Sequence, residues 1–288
     1  MSIILDGKLT AKNIRKELRE TIKTLDFAPV LAVILVGNDP ASQVYVRSKE
    51  KSAAKVGIET KDFRLPETTT FQEILDLIHK LNNDPEVDGI LLQLPLPKGL
   101  DERKLLDEIA PEKDVDGFHP VNQGRLLLGD TSGLVPCTPA GVMEILKRYD
   151  VNPEGKKCVI IGRSNIVGKP MAALMIKANA TVTVCHSRTR NLDKEVAAAD
   201  ILVVAAGKRN VIKSEWVKEG TVVVDVGIHR LEDGSLAGDV EFDELKDKAS
   251  HITPVPGGIG PMTISLLLVN TLKASLLRRK GNLDKFPF

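Results

Sequence analysis

Short apolar runs separated by helical segments constrain this chain most. They recur at residues 30–36 (VLAVILV), 87–94 (VDGILLQL), 157–161 (KCVII), 181–185 (TVTVC), 201–205 (ILVVA) and 221–226 (TVVVDV). The runs 30–36 and 87–94 leave no face to give to water, so those two strands are covered on both sides. Residues 58–65 also read as a strand. Around these runs the spacing predicts helices. At 11–25, Ile14, Leu18, Ile22 and Leu25 fall on one stripe. At 40–56, Asp39 serves as N-cap, Pro40 as first helical residue and Gly57 as the stop. Further helices are expected at 70–81, 100–109, 167–179, 192–198 and 261–279. Strands joined through helices of this length pair in parallel, with the helices packed on the sheet faces.

With 288 residues the chain is about twice the usual domain size, so two domains are expected. The Gly-, Pro- and Asn-rich stretch 117–139 marks the boundary. The expected fold class is α/β.

Composition excludes several classes of function. Forty Lys and Arg against thirty-nine Asp and Glu leave a net charge of +1, without the basic excess of a nucleic-acid binder. The longest apolar stretch, 264–269, is interrupted by Ser265 and is far shorter than the roughly 20 residues of a membrane span. The N-terminus lacks the basic and apolar regions of a secretory signal. Cys137, Cys158 and Cys185 are odd in number, with no C-x-x-C pair, which argues for reduced thiols and a cytoplasmic protein. The five histidines are scattered without metal-ligand spacing, so no metal site is expected.

Five segments carry chemistry. In CVIIGRSNIVGKPMAALM (158–175) a strand ends at Ile161, a turn opens at Gly162, and a helix starts near Val167. Such a turn aims backbone N–H groups and a positive helix end at a diphosphate. Its spacing matches neither G-x-G-x-x-G nor a P-loop, and a βα connection that binds nothing is the alternative. The next strand runs into His186-Ser187-Arg188-Thr189-Arg190, where NAD sites commonly carry a carboxylate for the ribose. With Arg163 and Ser164 this cationic, hydroxyl-rich set suits a 2′-phosphate, hence NADP.

In ASQVYVRSKEKSAAKVGI (41–58), Ser42, Tyr45 and Lys49 share one helix face. A lysine desolvated there can act as a base or proton shuttle, or it is one more solvated cation beside Arg47, Lys51 and Lys55. Gln93 lies in an apolar run just before two prolines, at a strand end where open α/β sheets bind ligands. Asp116 in PEKDVDGF (111–118) is a carboxylate for a planar N–H pair or a turn-forming residue. The last segment, TPVPGGIGPMT (253–263), is a non-helical loop whose glycines allow a flat ligand close to the backbone.

Taken together, the stretches Tyr45-Val-Arg-Ser-Lys49, Gln93-Leu-Pro-Leu-Pro, Pro111-Glu-Lys-Asp-Val-Asp-Gly, Gly162-Arg-Ser-x-x-Val-Gly-x-Pro and Pro254-Val-Pro-Gly-Gly-Ile-Gly-Pro-Met-Thr263 resemble the bifunctional methylenetetrahydrofolate dehydrogenase/methenyltetrahydrofolate cyclohydrolase (FolD) family. They occur in the family's order across nearly the whole chain. The resemblance implies two α/β lobes with a cleft between them, the second a Rossmann-like NADP-binding domain, divided as 1–120, with a C-terminal helix over 272–288 packing back on it, and 121–271. The resemblance implies oxidation of 5,10-methylenetetrahydrofolate by NADP⁺, then hydrolysis of the methenyl cation to 10-formyltetrahydrofolate, which serves one-carbon transfer and purine biosynthesis. It implies Lys49 as the acid/base, with Gln93 beside it, Tyr45 stacked on the folate and Asp116 on the pterin's amino-pyrimidinone edge. Ser42, Pro256, Gly257 and Gly258 would line the substrate site. Gly162, Arg163, Ser164, Ser187 and Ile228 would contact NADP. The implied partners are tetrahydrofolate derivatives and a second copy in a homodimer, with no nucleic acid and no membrane. The rival expectations are a monofunctional dehydrogenase, another two-lobe dehydrogenase and a non-catalytic dinucleotide sensor.

Overall fold

A computed structural model describes residues 2–288. In chain order its elements begin with β1 (Ile3–Ile4), α1 (Gly7–Ile22), β2 (Val30–Val36), α2 (Pro40–Val56), β3 (Glu59–Leu65), α3 (Phe71–Asn83), β4 (Gly89–Leu92), α4 (Glu102–Asp107) and α5 (Pro120–Leu127). They continue with α6 (Cys137–Arg148), β5 (Lys157–Ile161), α7 (Gly168–Lys177), β6 (Thr181–Cys185), α8 (Leu192–Ala197), β7 (Ile201–Val204) and β8 (Val222–Asp225). The last are β9 (His229–Arg230), β10 (Leu236–Ala237), α9 (Phe242–Leu245), β11 (His251–Ile252) and α10 (Ile259–Lys280). Two compact units result, one of residues 13–137 and 264–288, the other of the N-terminal residues through Lys12 and 138–263.

The first unit is built on a three-stranded parallel sheet, β3-β2-β4. All seven residues of β2 are buried, as its unbroken apolar run requires of a central strand. On the edge, β3 is polar through residues 59–62 and alternates only at Phe63-Arg64-Leu65, with none of its residues fully buried. Helix α2 starts and stops where its end residues dictate. The Asp39 carboxyl accepts the Ser42 N–H at 2.7 Å, and Gly57 closes the helix at a left-handed φ of 91°. Ile74, Ile78 and Leu81 of α3 join β2 and β4 in the core.

In the second unit, six strands pair in the order β1-β11-β8-β7-β5-β6, all parallel. Its core is aliphatic, with Val159, Ile161, Leu202, Val204 and Val223 buried from adjacent strands. The sequence places β2, β5, β6 and α2 at their observed bounds. Within the run 87–94 the strand covers Gly89–Leu92; one further ladder bond, from the Gln93 N–H, follows before Pro95, which has no N–H to donate. The stretch 117–139, expected as a linker, contains α5. The expected divisions at 120 and 271 differ from the units. Residues 3 and 4 pair with β11 and so belong with the six-stranded sheet. Helix α10 changes unit at 263/264, earlier than the expected 272.

By length and apolarity, α10 would also qualify as a membrane span, contrary to the expectation, yet most of it is buried in the fold. Its polar residues are spent internally. Lys273 donates to the carbonyls of Thr131 and Gly133 at 2.6 and 2.7 Å. Asn270 donates to those of Val115 and Val135 at 2.8 Å. Arg278 and Arg279 close on the buried Asp88.

Candidate active site

One face of α2 is buried through Ser42, Val46, Lys49, Ala53 and Val56. Burial of Lys49 leaves its ammonium short of water, so it needs a protein acceptor. It has one: Nζ donates to Oε1 of Gln93 at 3.0 Å. Gln93 follows β4, and its own N–H donates to the Ile34 carbonyl at 2.9 Å, extending the sheet by one rung. The Gln93 amide nitrogen donates to the neighbouring Leu94 carbonyl. That contact turns the amide oxygen toward Lys49, the only orientation in which an all-donor ammonium is satisfied. Tyr45 lies one turn before Lys49 and is 39 % exposed, so its ring offers a face to a ligand. Ser42 is buried, and its N–H and hydroxyl both serve the Asp39 carboxyl, holding that acid below its usual range.

Asp116 is half-buried in the loop after α4. Desolvation pushes its carboxyl up, and the positive charge of Lys49 draws it back down. The two groups are thus within electrostatic reach, so the lysine's surroundings include a carboxyl as well as the neutral amide of Gln93. Its loop is pinned from several sides. The buried Asp114 carboxyl accepts the His119 N–H at 2.7 Å and the Asn122 amide at 2.9 Å. Asn270 holds the Val115 carbonyl. A Cβ on Gly117, at φ 73°, would meet the Pro136 nitrogen at 2.6 Å. The Cys137 thiol lies in the same surroundings, pushed far up by burial and by the Asp116 charge. Cys137 is the buried free thiol that the sequence led one to expect, whereas sequence reading missed Asn122 and Asn270; for Asn270 the available signal was a polar residue within an apolar helix.

In the six-stranded unit, Gly162 continues β5 into the turn before α7, its N–H donating to the Cys185 carbonyl at 2.8 Å. Its φ is 127°, and a Cβ there would sit 2.2 Å from the Ala205 oxygen. A Cβ on Gly168 would meet the Gly162 oxygen at 2.3 Å. Both glycines are therefore required by the backbone itself. Ser164 accepts the Val167 and Gly168 N–H groups at 3.2 and 3.4 Å, which sets the start of α7. Arg163, Ser164, Ser187 and Arg188 are exposed along this turn and the loop after β6. Ile228, 43 % exposed, follows β8. These residues lie at or beyond the C-terminal ends of adjacent parallel strands, where doubly wound sheets take a dinucleotide. Exposed guanidinium groups, hydroxyls and a helix N-terminus fit a phosphorylated dinucleotide.

Pro256, Gly257 and Gly258 belong to this same unit. The Gly257 carbonyl accepts the Lys8 N–H at 2.9 Å, and a Cβ on Gly7 would sit 1.8 Å from the Gly258 oxygen. The loop is thus clasped by the backbone at the start of α1. The predicted residues therefore divide by unit: Ser42, Tyr45, Lys49, Gln93 and Asp116 in one, the 256–258 loop and the dinucleotide residues in the other.

A buried lysine–amide pair with a nearby carboxyl, in a chain that also carries a dinucleotide-type sheet and turn, defines a two-domain, dinucleotide-dependent α/β enzyme. Residues 5–116 match the tetrahydrofolate dehydrogenase/cyclohydrolase catalytic domain, and residues 136–279 match the NAD(P)-binding domain of the same family. The bifunctional protein FolD of Acetivibrio thermocellus is 56 % identical over 280 residues, covering 96 % of this chain and 98 % of that protein. Among solved structures, the bifunctional FolD of Campylobacter jejuni superposes with a TM-score of 0.95 at 51 % identity, covering 96 % of this chain and all of that one. The Trypanosoma brucei FolD, solved with NADP cofactor and an inhibitor, gives 0.90 at 40 % identity, covering 95 % and 97 %. The chain belongs to the tetrahydrofolate dehydrogenase/cyclohydrolase family, and it is a bifunctional methylenetetrahydrofolate dehydrogenase and methenyltetrahydrofolate cyclohydrolase.

Proposed function

We propose that the enzyme oxidises 5,10-methylenetetrahydrofolate with NADP⁺ and hydrolyses the methenyl product to 10-formyltetrahydrofolate, with Lys49 as the acid/base of the second step. The observation that carries this is the buried Lys49 held at 3.0 Å by the Gln93 amide oxygen. When bound, NADP supplies the hydride acceptor at its nicotinamide C4. The folate's own nitrogen lone pair expels the hydride, so the protein's part in oxidation is orientation and exclusion of water.

Hydrolysis asks more of the protein. Water adds to the methenyl carbon and loses a proton; the bond from that carbon to N5 then breaks as N5 gains a proton and the added hydroxyl releases its own, leaving the formyl carbonyl and one proton released overall. A single amine that accepts the first proton and returns one to N5 performs both transfers. Gln93 keeps that amine in place without donating a competing proton. Asp116 accepts the two parallel N–H groups of the amino-pyrimidinone edge, a charge-assisted match for a carboxylate. Tyr45 stacks on the folate rings, with Ser42 on the same helix face beside it. Gly162, Arg163, Ser164, Ser187 and Ile228 hold NADP, with Arg188 favouring its 2′-phosphate.

The same reading makes the chain a cytoplasmic source of one-carbon units for purine biosynthesis; three free, buried thiols agree with a reducing compartment. It also makes the enzyme a homodimer through the dinucleotide unit. There β6 has a ladder partner on one side only, and Ile176 of α7 is 59 % exposed.

The test is a time course with 5,10-methylenetetrahydrofolate and NADP⁺, sampled into acid to convert formyl product back to methenyl. Wild type should yield NADPH and formyl product, and Lys49→Ala should stop at methenyl. Full hydrolysis by Lys49→Ala would remove the lysine from the mechanism.

A further inference from the structure

A buried carboxyl network lies beyond β7 and β8, among residues that neither the sequence motifs nor the proposed chemistry uses. Asp239 is fully buried in the segment between β10 and α9. Its Oδ2 accepts the N–H groups of Ala206 and Gly207 at 2.7 and 2.9 Å, and its Oδ1 accepts the His229 ring Nε2 at 2.7 Å. Its main-chain carbonyl accepts the Asn210 N–H at 2.8 Å. One residue thus ties the loop after β7 to β9. Asp225, the last residue of β8, fastens the same corner. Its Oδ1 accepts the Gly227 and Asp239 N–H groups at 2.8 and 3.0 Å, and its Oδ2 the Val240 N–H at 3.0 Å.

The packing leaves no room for slack. A Cβ on Gly227 would lie 2.4 Å from Asp239 Oδ1, and one on Gly238 would lie 1.8 Å from Asp225 Oδ2. Ile228 sits between two fixed neighbours, Gly227 through its N–H on Asp225 and His229 through its ring on Asp239. Its own side chain stays 43 % exposed. The strand order places these loops on one side of the glycine turn. With β6 and the 2′-phosphate residues beside β5 in one direction, β7 and β8 lie in the other. A dinucleotide whose diphosphate rests on the Gly162 turn then has its nicotinamide half over β7 and β8.

We propose that Asp239, braced by Asp225 and His229, is a positioning residue for the dehydrogenase step, fixing the 206–210 loop and Ile228 against the nicotinamide half of the cofactor. This rests on the assignment of the glycine turn to NADP. It differs from a purely structural role in which half of the cofactor it affects. The adenosine half would lie beside β5 and β6, where none of the hydrogen bonds of Asp225 or Asp239 ends.

The test uses the full-length enzyme and the variants Asp239→Asn, His229→Leu and His229→Gln. Binding of NADP⁺ and of 2′,5′-ADP, which carries only the adenosine half, is measured by calorimetry beside dehydrogenase kcat and KM. Hydrolysis of methenyltetrahydrofolate, which uses no cofactor, reports that each variant is folded. Asp239→Asn and His229→Leu should lower dehydrogenase kcat/KM about tenfold or more while 2′,5′-ADP affinity stays within twofold. His229→Gln, whose amide can still donate to Asp239, should recover most of the loss. Unchanged dehydrogenase kinetics in both folded variants would overturn the proposal, as would equal weakening of NADP⁺ and 2′,5′-ADP. Should Asp239→Asn fail to fold, the His229 pair decides by the same criteria. A wild type that binds neither nucleotide would instead sink the NADP assignment itself.

Discussion

Replacing Asp114 by Asn should remove a specific pH dependence from the stability of the unit that carries Lys49. Asp114 is 2 % exposed, and one of its oxygens takes both the His119 N–H and the Asn122 amide. Burial nevertheless pushes its carboxyl from 3.8 up to about 7, against those hydrogen bonds, and the Asp116 charge pushes the same way. A carboxyl raised on folding contributes its stability in acid. That contribution is lost as pH climbs from the unfolded value of 3.8 through about 7. One pKa unit is about 1.4 kcal/mol, so between about pH 5 and pH 8 the wild type loses about 2.5 kcal/mol through this group. Asparagine keeps the acceptor oxygen and cannot titrate. The measurement is urea unfolding of wild type and Asp114→Asn at both pH values, compared as a double difference. The cost of the substitution itself cancels between the two pH values, and the other titrating groups cancel between the two proteins. The variant should gain about 2.5 kcal/mol relative to wild type on going to the higher pH. Equal changes in both proteins would refute the burial argument.

Three other substitutions test separate parts of the structure. Asp116→Ala should lower both activities through lost folate binding, and unchanged folate affinity by calorimetry would remove the residue from the site. Arg188→Ala should weaken NADP⁺ about 10–100-fold and leave NAD⁺ unchanged, the worth of one charge-assisted contact; parallel losses for the two nucleotides would argue against a 2′-phosphate contact. Asp88→Ala should cost about 3–5 kcal/mol in denaturant unfolding. It removes the carboxyl that accepts the Val30 N–H at 2.9 Å and pairs with both Arg278 and Arg279. A loss under about 1 kcal/mol would place that cluster with weak surface pairs.

The strands and helices were legible where local chemistry suffices. In α2, an acidic cap, a proline and a terminal glycine fix both ends without help from the rest of the molecule. The two-residue strands β1 and β11 carry no such signal. A pair of isoleucines near the N-terminus becomes a strand only because the main chain at residues 250–252 is there to pair with it. Helix α10 shows the converse. Its length and apolarity read as well for a bilayer as for a core, and the partners of Asn270, Lys273, Arg278 and Arg279 decide for the core.

For the site, the sequence alone determined the residue types and the helix face that carries Ser42, Tyr45 and Lys49, since helical periodicity needs no tertiary information. It also determined the strand–glycine turn–helix order that suits a dinucleotide. Only the tertiary structure brought Gln93, forty-four residues away, to 3.0 Å from Lys49, and Asp116 within reach of its charge. Only the tertiary structure made Asp225 and Asp239, unremarkable among thirty-nine acids, into the fastening of two loops. The reason is physical: propensity and capping act over a few bonds along the chain, whereas the cost of burying a charge and the partner that relieves it depend on what folding places beside it.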